Sequence, residues 1–430
     1  MGSEQVRRVR EHGKWAILIT VLTMTFMVCL DSSVVTVALP VMQKQLGAGD
    51  EIQWVSSVYL IATCLALIPF GRLGDRRGKV YVFQAGVIGF TAGSLLCGLA
   101  QTLPALIAAR IVQGIGGALA MANNMGIITE AFPVRERGRA MGLLSTFVAL
   151  GMMAGPVLGG IIVASWPWEW IFLINVPVGA VSFLVGLRTL PHVRPDRADR
   201  EGSLGFSAAA RLCLGNPAFR LNFLTMLIVF IGIGASEFIL PFYFQDAHGF
   251  SADASGLLFL ALPAVNAVAG PISGTVSDRV GGESLTMLGL AVYIVGFFVV
   301  SGLTESSSVP EIVGAVGLMS LGSAIFQSPN NALFMESAPD EALGFAGSLG
   351  SLARYAGLAL GISLCSAMLY GRMSAEAGYA VESVIPGRPD VFLAGFRFSL
   401  HMLAGLVSIA FAMTAVRWSR RRARARARRR

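Results

Sequence analysis

Four ionisable residues stand out within long apolar stretches of the sequence: Asp31, Arg110, Glu237 and Arg354. A charge at the centre of a membrane helix costs about 2.5–3.5 kcal/mol on insertion scales, so each of these residues needs a reason to be there. Asp31 lies nine residues before Pro40, and Arg110 lies six residues after Pro104. At a helical rise of 1.5 Å per residue, both would lie about 9–13 Å inside the same membrane boundary. Opposite charges at matching depth predict a pair.

The Asp31 carboxylate has the chemistry of a proton carrier. Burial disfavours the charged form of a carboxylate and a neighbouring guanidinium favours it, so a group balanced between the two can change protonation when its surroundings change. The alternative is a structural ion pair with Arg110 that only fixes helix packing. Glu237 could carry a second proton, bind a cationic substrate or line a water-filled vestibule. Arg354 could contact substrate, pair with an acid or serve packing.

Several amide side chains are concentrated in two further apolar stretches. They could hydrogen-bond a substrate in a central cavity, although such groups more often bond neighbouring helices, for about 1 kcal/mol each. An aromatic ring beside Glu237 could supply an apolar wall. The candidate substrate-cavity residues are Asn123, Asn124, Gln327, Asn331, Arg354 and Phe238.

The composition explains why these residues stand out. The chain has 430 residues, of which 54% are hydrophobic and only 13% are charged, and its mean hydropathy is +0.68. A soluble domain carries about 25% charged residues, so this chain is expected in a lipid bilayer. The five cysteines and four histidines show no metal-ligand spacing. We therefore expect no metal, no cofactor other than a proton as coupling ion, and no enzyme activity, since no nucleophile, base or metal constellation is present.

The apolar stretches predict an all-α integral membrane protein with twelve transmembrane helices in two pseudo-symmetric six-helix bundles. A span needs about 20 mostly apolar residues. The predicted spans are 15–40, 52–71, 80–100, 104–130, 140–165, 171–190, 221–245, 254–274, 284–303, 310–335, 343–370 and 391–416.

Basic residues set the predicted orientation, because Lys and Arg near span ends stay on the cytoplasmic side. Placing the N-terminus inside puts most of the 33 Lys and Arg in cytoplasmic segments. Both termini are then cytoplasmic, and the net charge of +8 indicates topology rather than nucleic-acid binding. The chain is rich in Arg and Ala with three Lys, which suggests a bacterium with GC-rich DNA and hence its inner membrane. We expect a monomer in contact with the lipid bilayer.

The predicted domains follow a repeat with a period of about half the chain. GRLGDRRGK at 71–79 recurs as GTVSDRVGG at 274–282, 203 residues later. A duplicated unit with a site between its copies is one arrangement that secondary transporters use. The predicted divisions are an N-terminal bundle at 1–190, a polar cytoplasmic linker at 191–220, a C-terminal bundle at 221–416 and a basic cytoplasmic tail at 417–430.

Two glycine-rich motifs have spacings that predict conformational roles. The first, in the fifth span, would place glycines on one face for close helix packing, and its proline would permit a bend. Its residues are Gly151, Gly155, Pro156, Gly159 and Gly160. The second would turn tightly between the second and third spans and act as a charged gating latch, or serve only as a basic topology signal. Its residues are Gly71, Gly74, Asp75, Arg76 and Gly78.

Taken together, five motifs resemble the major facilitator superfamily, and more narrowly its drug/proton antiporter branch, which usually has fourteen helices. They are LDSSVVTVALP at 30–40, GRLGDRRGK at 71–79, LIAARIVQGIGGA at 106–118, GMMAGPVLGG at 151–160 and WPWEWIFLINVPVG at 166–179. The resemblance implies roles in proton coupling for Asp31 and Arg110, in gating for Asp75 and Arg76, and in exchange rather than symport for Gly155 and Pro156. The branch usually has Asn where Thr36 stands, and often Arg where Glu169 stands.

The residues and the resemblance together predict a transporter. We expect a proton-coupled antiporter that exports small hydrophobic or cationic organic compounds, as in drug or antibiotic efflux, by alternating access. Its partners would be a small-molecule substrate and protons. The alternatives are a metabolite symporter or facilitator of the same fold, and a membrane sensor that transports nothing.

Overall fold

The computed structural model describes residues 3–132, 134–190, 206–339 and 342–427, and within them the regular structure is helical. Twelve helical stretches are long and apolar enough to cross a membrane. The predicted twelve-helix, all-α fold is therefore confirmed for the described chain. The described residues divide into two compact units: those of 1–46 and 54–203 form the first unit, and those of 47–53 and 204–430 form the second.

The first unit contains seven helices that make up six candidate spans. The last span is divided between two of them, α6 and α7. The helices are α1 (Ser3–Leu46), α2 (Trp54–Arg77), α3 (Lys79–Gly98), α4 (Leu103–Ala131), α5 (Val134–Ser165), α6 (Trp170–Leu173) and α7 (Asn175–Thr189).

The second unit contains eight helices and also makes up six candidate spans. Its first span ends in one π-helical turn, Tyr243–Ala247, and its second span is divided between α10 and α11. The helices are α8 (Phe206–Gly215), α9 (Pro217–Phe242), α10 (Ala252–Phe259), α11 (Ala261–Val280), α12 (Gly282–Ser301), α13 (Val309–Glu336), α14 (Leu343–Ala377) and α15 (Pro389–Ala427). A short 3₁₀ turn covers Asp50–Gln53.

Local sequence signals mark several helix ends. Asn216 caps α9, because its side chain accepts a hydrogen bond of 3.0 Å from the backbone of Ala218. At the start of α13, Ser308 and Glu311 form a capping box that satisfies two backbone N–H groups. Gly378, in the left-handed conformation with φ of 79°, ends α14.

Helix α1 is longer than the sequence predicts. It continues through Pro40 to Leu46, so Asp31 lies near the middle of the 34-residue candidate span Gly13–Leu46. The helix therefore does not end at Pro40, the residue from which the depth of Asp31 was estimated. A proline removes one backbone hydrogen bond, which a packed membrane helix tolerates when neighbouring groups satisfy the freed carbonyl.

The turn predicted at the second glycine motif is shorter than expected. Helix α2 continues to Arg77, so Gly71, Gly74, Asp75 and Arg76 all belong to it. The chain turns at Gly78, where φ is 107°, a conformation that favours glycine. Asp75 lies three residues before this turn.

The internal repeat recurs in the structure. Gly281 lies 203 residues after Gly78, has a similar φ of 94° and makes the corresponding turn between α11 and α12. The helix pairs that follow also correspond. A Cβ on Gly86 of α3 would lie 2.5 Å from the backbone N of Ala120 on α4, and a Cβ on Gly289 of α12 would lie 2.5 Å from that of Phe326 on α13. Each pair therefore packs backbone against backbone at the same position of the repeat.

Part of the segment predicted as a linker is helical. Residues 191–205 lie outside the described chain, but α8 follows them and precedes α9. Cys213 of α8 is fully buried against Phe219, Phe334, Ala342 and Ala346. Burial raises the pKa of the Cys213 thiol. Helix α8 is thus packed onto the ends of α9, α13 and α14.

We expect Gly289→Ala to lower the free energy of unfolding by about 1–3 kcal/mol, because the new methyl group would meet the α13 backbone, which cannot yield as a flexible side chain would. Gly314→Ala is the matched control in α13, since nothing lies within 4 Å of its Cβ position. Thermal unfolding of the purified variants in detergent checks the difference. Equal stability of the two variants would contradict the close α12–α13 contact.

Candidate functional site

A buried ion pair lies at the centre of the first unit. Arg110 of α4 and Asp31 of α1 are separated by 2.6 Å between Nη1 and Oδ2. Their side chains are 1% and 0% exposed. The pairing predicted from their charges and depth is therefore present, and both charges are removed from solvent.

Two amide side chains complete the surroundings of the Asp31 carboxylate. Its Oδ1 accepts a hydrogen bond of 2.7 Å from Nε2 of Gln113 and one of 2.7 Å from Nδ2 of Asn175. Together with the Arg110 guanidinium, three N–H groups point at the carboxylate. An ionised carboxylate only accepts hydrogen bonds, so this arrangement fits the deprotonated form of Asp31.

The Arg110 guanidinium is held on several sides. Its Nε donates to the backbone oxygen of Val55 over 2.9 Å, and its Nη1 also donates to Oε1 of Gln113 over 2.6 Å. The ring of Tyr59 lies 4.1 Å from its central carbon, and the ring of Phe172 lies 5.5 Å from it. These contacts satisfy the cation by hydrogen bonds and by the electron-rich ring faces. Arg110 is therefore fixed in one position.

Gln113 links both members of the ion pair. Its Oε1 accepts from Arg110, while its Nε2 donates to Asp31 and to Oγ of Ser94 on α3 over 2.8 Å. The Sγ of Cys97 is 3.6 Å from its Oε1. Because each end of the amide faces a charge of opposite sign, the orientation of Gln113 is set by the pair.

Glycines bring the helices of this site close together. A Cβ on Gly93 of α3 would lie 2.5 Å from the backbone N of Gln113, which explains why the neighbouring Ser94 reaches the amide. A Cβ on Gly114 of α4 would lie 2.7 Å from the backbone oxygen of Tyr59 on α2. Small residues at both crossings therefore place α2 and α3 around the α4 side chains.

The first glycine motif, in α5, packs against α1. A Cβ on Gly151 would lie 2.7 Å from the backbone oxygen of Phe26, and one on Gly159 would lie 2.7 Å from that of Val34. A Cβ on Gly155 would collide with Oγ of Ser33. Gly160 is also buried, and Pro156 lies inside α5. The glycine face of α5 thus lies directly against the helix that carries Asp31.

The predicted site residues of the second unit lie on α9 and α14. Glu237 and Arg354 are both half-buried, and the guanidinium is close enough to attract the carboxylate. The central carbon of Arg354 lies 5.7 Å from the ring of Phe230. Phe238 is buried, with its ring 5.2 Å from that of Phe242. Glu237 and Arg354 are therefore more exposed than the Asp31–Arg110 pair, whereas Phe238 packs within the unit.

The predicted cavity amides mostly bond within their own units. Asn123 donates to the backbone of Leu119, and Asn124 donates to Oγ1 of Thr25 on α1 over 2.6 Å. Nε2 of Gln327 lies 3.4 Å from Oδ1 of Asn266 on α11. Asn331 is exposed. Asn124 and Gln327 therefore connect neighbouring helices, the alternative use that the sequence left open.

The structure describes the surroundings of only part of the predicted gating motif. A Cβ on Gly74 would collide with the Asn123 amide, so this glycine allows α2 to approach α4. The side chains of Asp75 and Arg76 lie outside the described part of the structure. Beyond the turn, Lys79 pairs with Glu130 at 2.6 Å, which connects the start of α3 with the end of α4. A partly exposed pair of this kind contributes about 0–1 kcal/mol.

Sequence reasoning missed three residues of the site: Ser94, Gln113 and Asn175. Gln113 follows Arg110 by three residues, so a helical face drawn from Arg110 would have included it. Asn175 is an isolated amide in the apolar run WIFLINVPVG, and this isolation was an available signal. Ser94 carried no comparable signal. Among the residues that the structure describes, no cluster of three or more His, Cys, Asp or Glu could hold a metal ion.

Comparison with known proteins places this architecture in a family context. Residues 21–362 match the family model described as Major Facilitator Superfamily. The chain is 29% identical to the riboflavin transporter RibZ of Clostridioides difficile, over 82% of this chain and 88% of that protein. It is also 29% identical to the tetracenomycin C resistance and export protein of Streptomyces glaucescens, over 84% of this chain and 76% of that protein.

A solved structure shares the fold. The bacterial homologue of the human lysosomal transporter Spinster, crystallised in an inward-facing and unoccupied conformation, matches with a TM-score of 0.76. The match covers 94% of this chain and 96% of that chain at 19% sequence identity. At this identity the likeness extends to the fold.

We expect Arg110→Leu to lower the free energy of unfolding by about 3–5 kcal/mol, because Asp31 would remain buried without its cation. The double variant Asp31→Leu/Arg110→Leu should recover much of this loss, since it leaves no uncompensated charge. Thermal unfolding of both purified variants and the wild type measures how the two substitutions combine in the free energy of unfolding. Additive losses would contradict a direct interaction between the two side chains.

Proposed function

This chain belongs to the Major Facilitator Superfamily, and we propose that it is a proton-coupled antiporter that exports small hydrophobic or cationic organic compounds. The family and the relatives described above are membrane transporters rather than enzymes. A multi-pass membrane transporter of small molecules is therefore the starting point. The observation that carries the proton-coupling proposal is the buried Asp31 carboxylate with its three N–H donors.

A proton on Asp31 is incompatible with the arrangement described. The protonated carboxyl would present an O–H group among groups that already donate to it, and Arg110 would lose its counter-ion in a buried site. Protonation therefore favours a different arrangement of α1, α4 and α7. A carboxylate that moves helices when it takes up a proton is the device that proton-coupled alternating access requires, because a ligand shifts an equilibrium only by its differential affinity for the two states.

Export is supported by several features together. The tetracenomycin C relative is named as a resistance and export protein. The motif of Gly155 and Pro156, which the resemblance associates with exchange, lies against the helix that carries Asp31. In the second unit, the half-buried Glu237 supplies a negative charge that a cationic compound could neutralise. We further propose a monomer in a bacterial inner membrane with both termini cytoplasmic, since the basic residues accumulate on that side.

A metabolite carrier is the second candidate, and one comparison favours it. The riboflavin transporter is similar over 82% of this chain. A carrier of the same fold for a planar, largely neutral metabolite would not need a cationic substrate. It could still use Asp31 for proton symport, so the direction of coupling separates the two candidates.

We expect purified protein in proteoliposomes to accumulate ethidium when the vesicle interior is acidic, because outward proton flow would drive inward movement of the cation. Asp31→Asn should abolish the gradient-dependent part, since the amide cannot take up and release a proton. Glu376→Gln is the matched control: it removes an exposed carboxylate that pairs with Arg372 at a helix end. Ethidium fluorescence follows the accumulation.

Riboflavin uptake into the same proteoliposomes tests the second candidate. Riboflavin accumulation driven by an alkaline interior, with no ethidium response, would replace antiport of cations by metabolite symport. Accumulation that is unchanged in Asp31→Asn would reject Asp31 as the coupling residue. Signals equal to those of empty liposomes for both compounds would reject transport of both substrate classes.

A further inference from the structure

We propose that Asn175 is a positioning residue for Asp31: its amide donates to the ionised carboxylate and turns to accept from the protonated one, so that α7 follows the protonation state of α1. The inference deepens the proposed function and rests on it. The WPWEWIFLINVPVG motif contains both Asn175 and Phe172, whose ring lies 5.5 Å from the central carbon of Arg110.

The side chain of Asn175 is buried and hydrogen-bonded to Asp31. Its side chain is 1% exposed, and its Nδ2 donates to Oδ1 of Asp31 over 2.7 Å. Within the described chain this is the one hydrogen bond that the side chain makes. Asn175 and Asp31 are 144 residues apart, so the bond is a tertiary link between α7 and α1. Its strength therefore depends directly on the charge of Asp31.

Of the two amides on Oδ1, Asn175 is the one able to turn. Gln113 is held at both ends, because its Oε1 accepts from Arg110 and its Nε2 also donates to Ser94. Rotating Gln113 would break both bonds and direct its N–H groups at a cation. Rotating Asn175 breaks only the bond to Asp31 and presents its Oδ1 as an acceptor.

Proton uptake by Asp31 changes its hydrogen bond with Asn175. A hydronium ion gives its proton to Oδ1 of Asp31 and leaves as water. The resulting O–H donates to Oδ1 of Asn175, while the former hydrogen bond from Nδ2 breaks. The amide N–H groups lose their acceptor in a buried position, which costs free energy until they find another. A displacement of α7 that exposes these groups to a new partner is therefore favoured only after protonation.

The start of α7 allows such a displacement. Ile174, between α6 and α7, has helical torsions with φ of −60° and ψ of −27°, so the sixth span continues through it. Pro177 has no N–H group, so the carbonyl of Leu173 cannot receive the usual helical hydrogen bond from it. A proline is a common position for a helix to bend. The proton-sensitive amide of Asn175 thus lies two residues before this proline.

The test measures protonation directly and needs no transport substrate. Infrared spectra of the wild-type protein in lipid nanodiscs, recorded from pH 5 to 10, should contain a carboxyl C=O band that is absent from Asp31→Asn. The pH of half-titration of this band reports the proton affinity of Asp31. In Asn175→Leu we expect it to rise by about one pH unit, a tenfold change, because the charge-assisted hydrogen bond lost by the ionised carboxylate is stronger than the neutral one lost by the protonated form.

Two further variants separate positioning from folding. Asn175→Ser keeps a group that can donate and accept a hydrogen bond, so its half-titration pH should lie closer to that of the wild type. If the leucine variant does not fold, the serine variant still allows the measurement. Asn222→Leu is the matched control, because it removes a buried amide that bonds the backbone of Leu333 in the second unit. Its half-titration pH should equal that of the wild type.

The outcomes distinguish the inference from the function on which it rests. An Asp31 band that titrates identically in wild type, Asn175→Leu and Asn175→Ser would reject the role of Asn175 and leave proton coupling intact. A wild-type spectrum without any band assignable to Asp31 in this pH range would reject proton binding itself. A shift of equal size in Asn222→Leu would show a general loss of packing and would also overturn the positioning role.

Discussion

Burial of the Asp31–Arg110 ion pair inside a membrane helix bundle is the constraint on which the first unit depends. Two charges removed from water are stable only when their remaining donors and acceptors are satisfied. Satisfying them recruits Gln113 from α4, Asn175 from α7 and the backbone of Val55 from α2. These partners reach the pair because glycines such as Gly93 allow the helices to cross closely. The close packing and the polar network therefore require each other.

The second unit repeats the packing without the network. Gly93 in α3 and Gly296 in α12 lie 203 residues apart, and a Cβ on either would meet the backbone of the partner helix. At Gly93 the residue met is Gln113, whereas at Gly296 it is Met319, whose sulfur lies 3.6 Å from Ser236. Duplication explains the shared scaffold, and the residues at equivalent positions decide which copy can hold a charge. Glu237, the carboxylate predicted as a site residue of the second unit, does not lie 203 residues after Asp31, and it is half-buried.

The sequence predicts the features that depend on long stretches or on strong charges. Hydropathy identifies twelve helices because a span must be apolar along its whole length, and opposite charges within spans predict the Asp31–Arg110 pair. The length of α1 was missed because Pro40 was taken as an end, although a single lost hydrogen bond does not terminate a packed helix. The isolated amide of Asn175 in an apolar run was an available signal, but its partner Asp31, 144 residues away, could not be identified from that run.

Every hydrogen-bond partner described for the Asp31 carboxylate belongs to the first unit, which limits how a proton could influence a substrate. A proton that binds within one bundle acts on substrate either through direct competition or through movement of the helices that hold both. The ion pair favours movement, because α1, α4 and α7 each contribute a side chain to it and α1 also lies against the glycine face of α5. A hydrophobic replacement of the pair would often be at least as stable. A change of state, as the proposed function requires, would therefore explain the charges better than stability does.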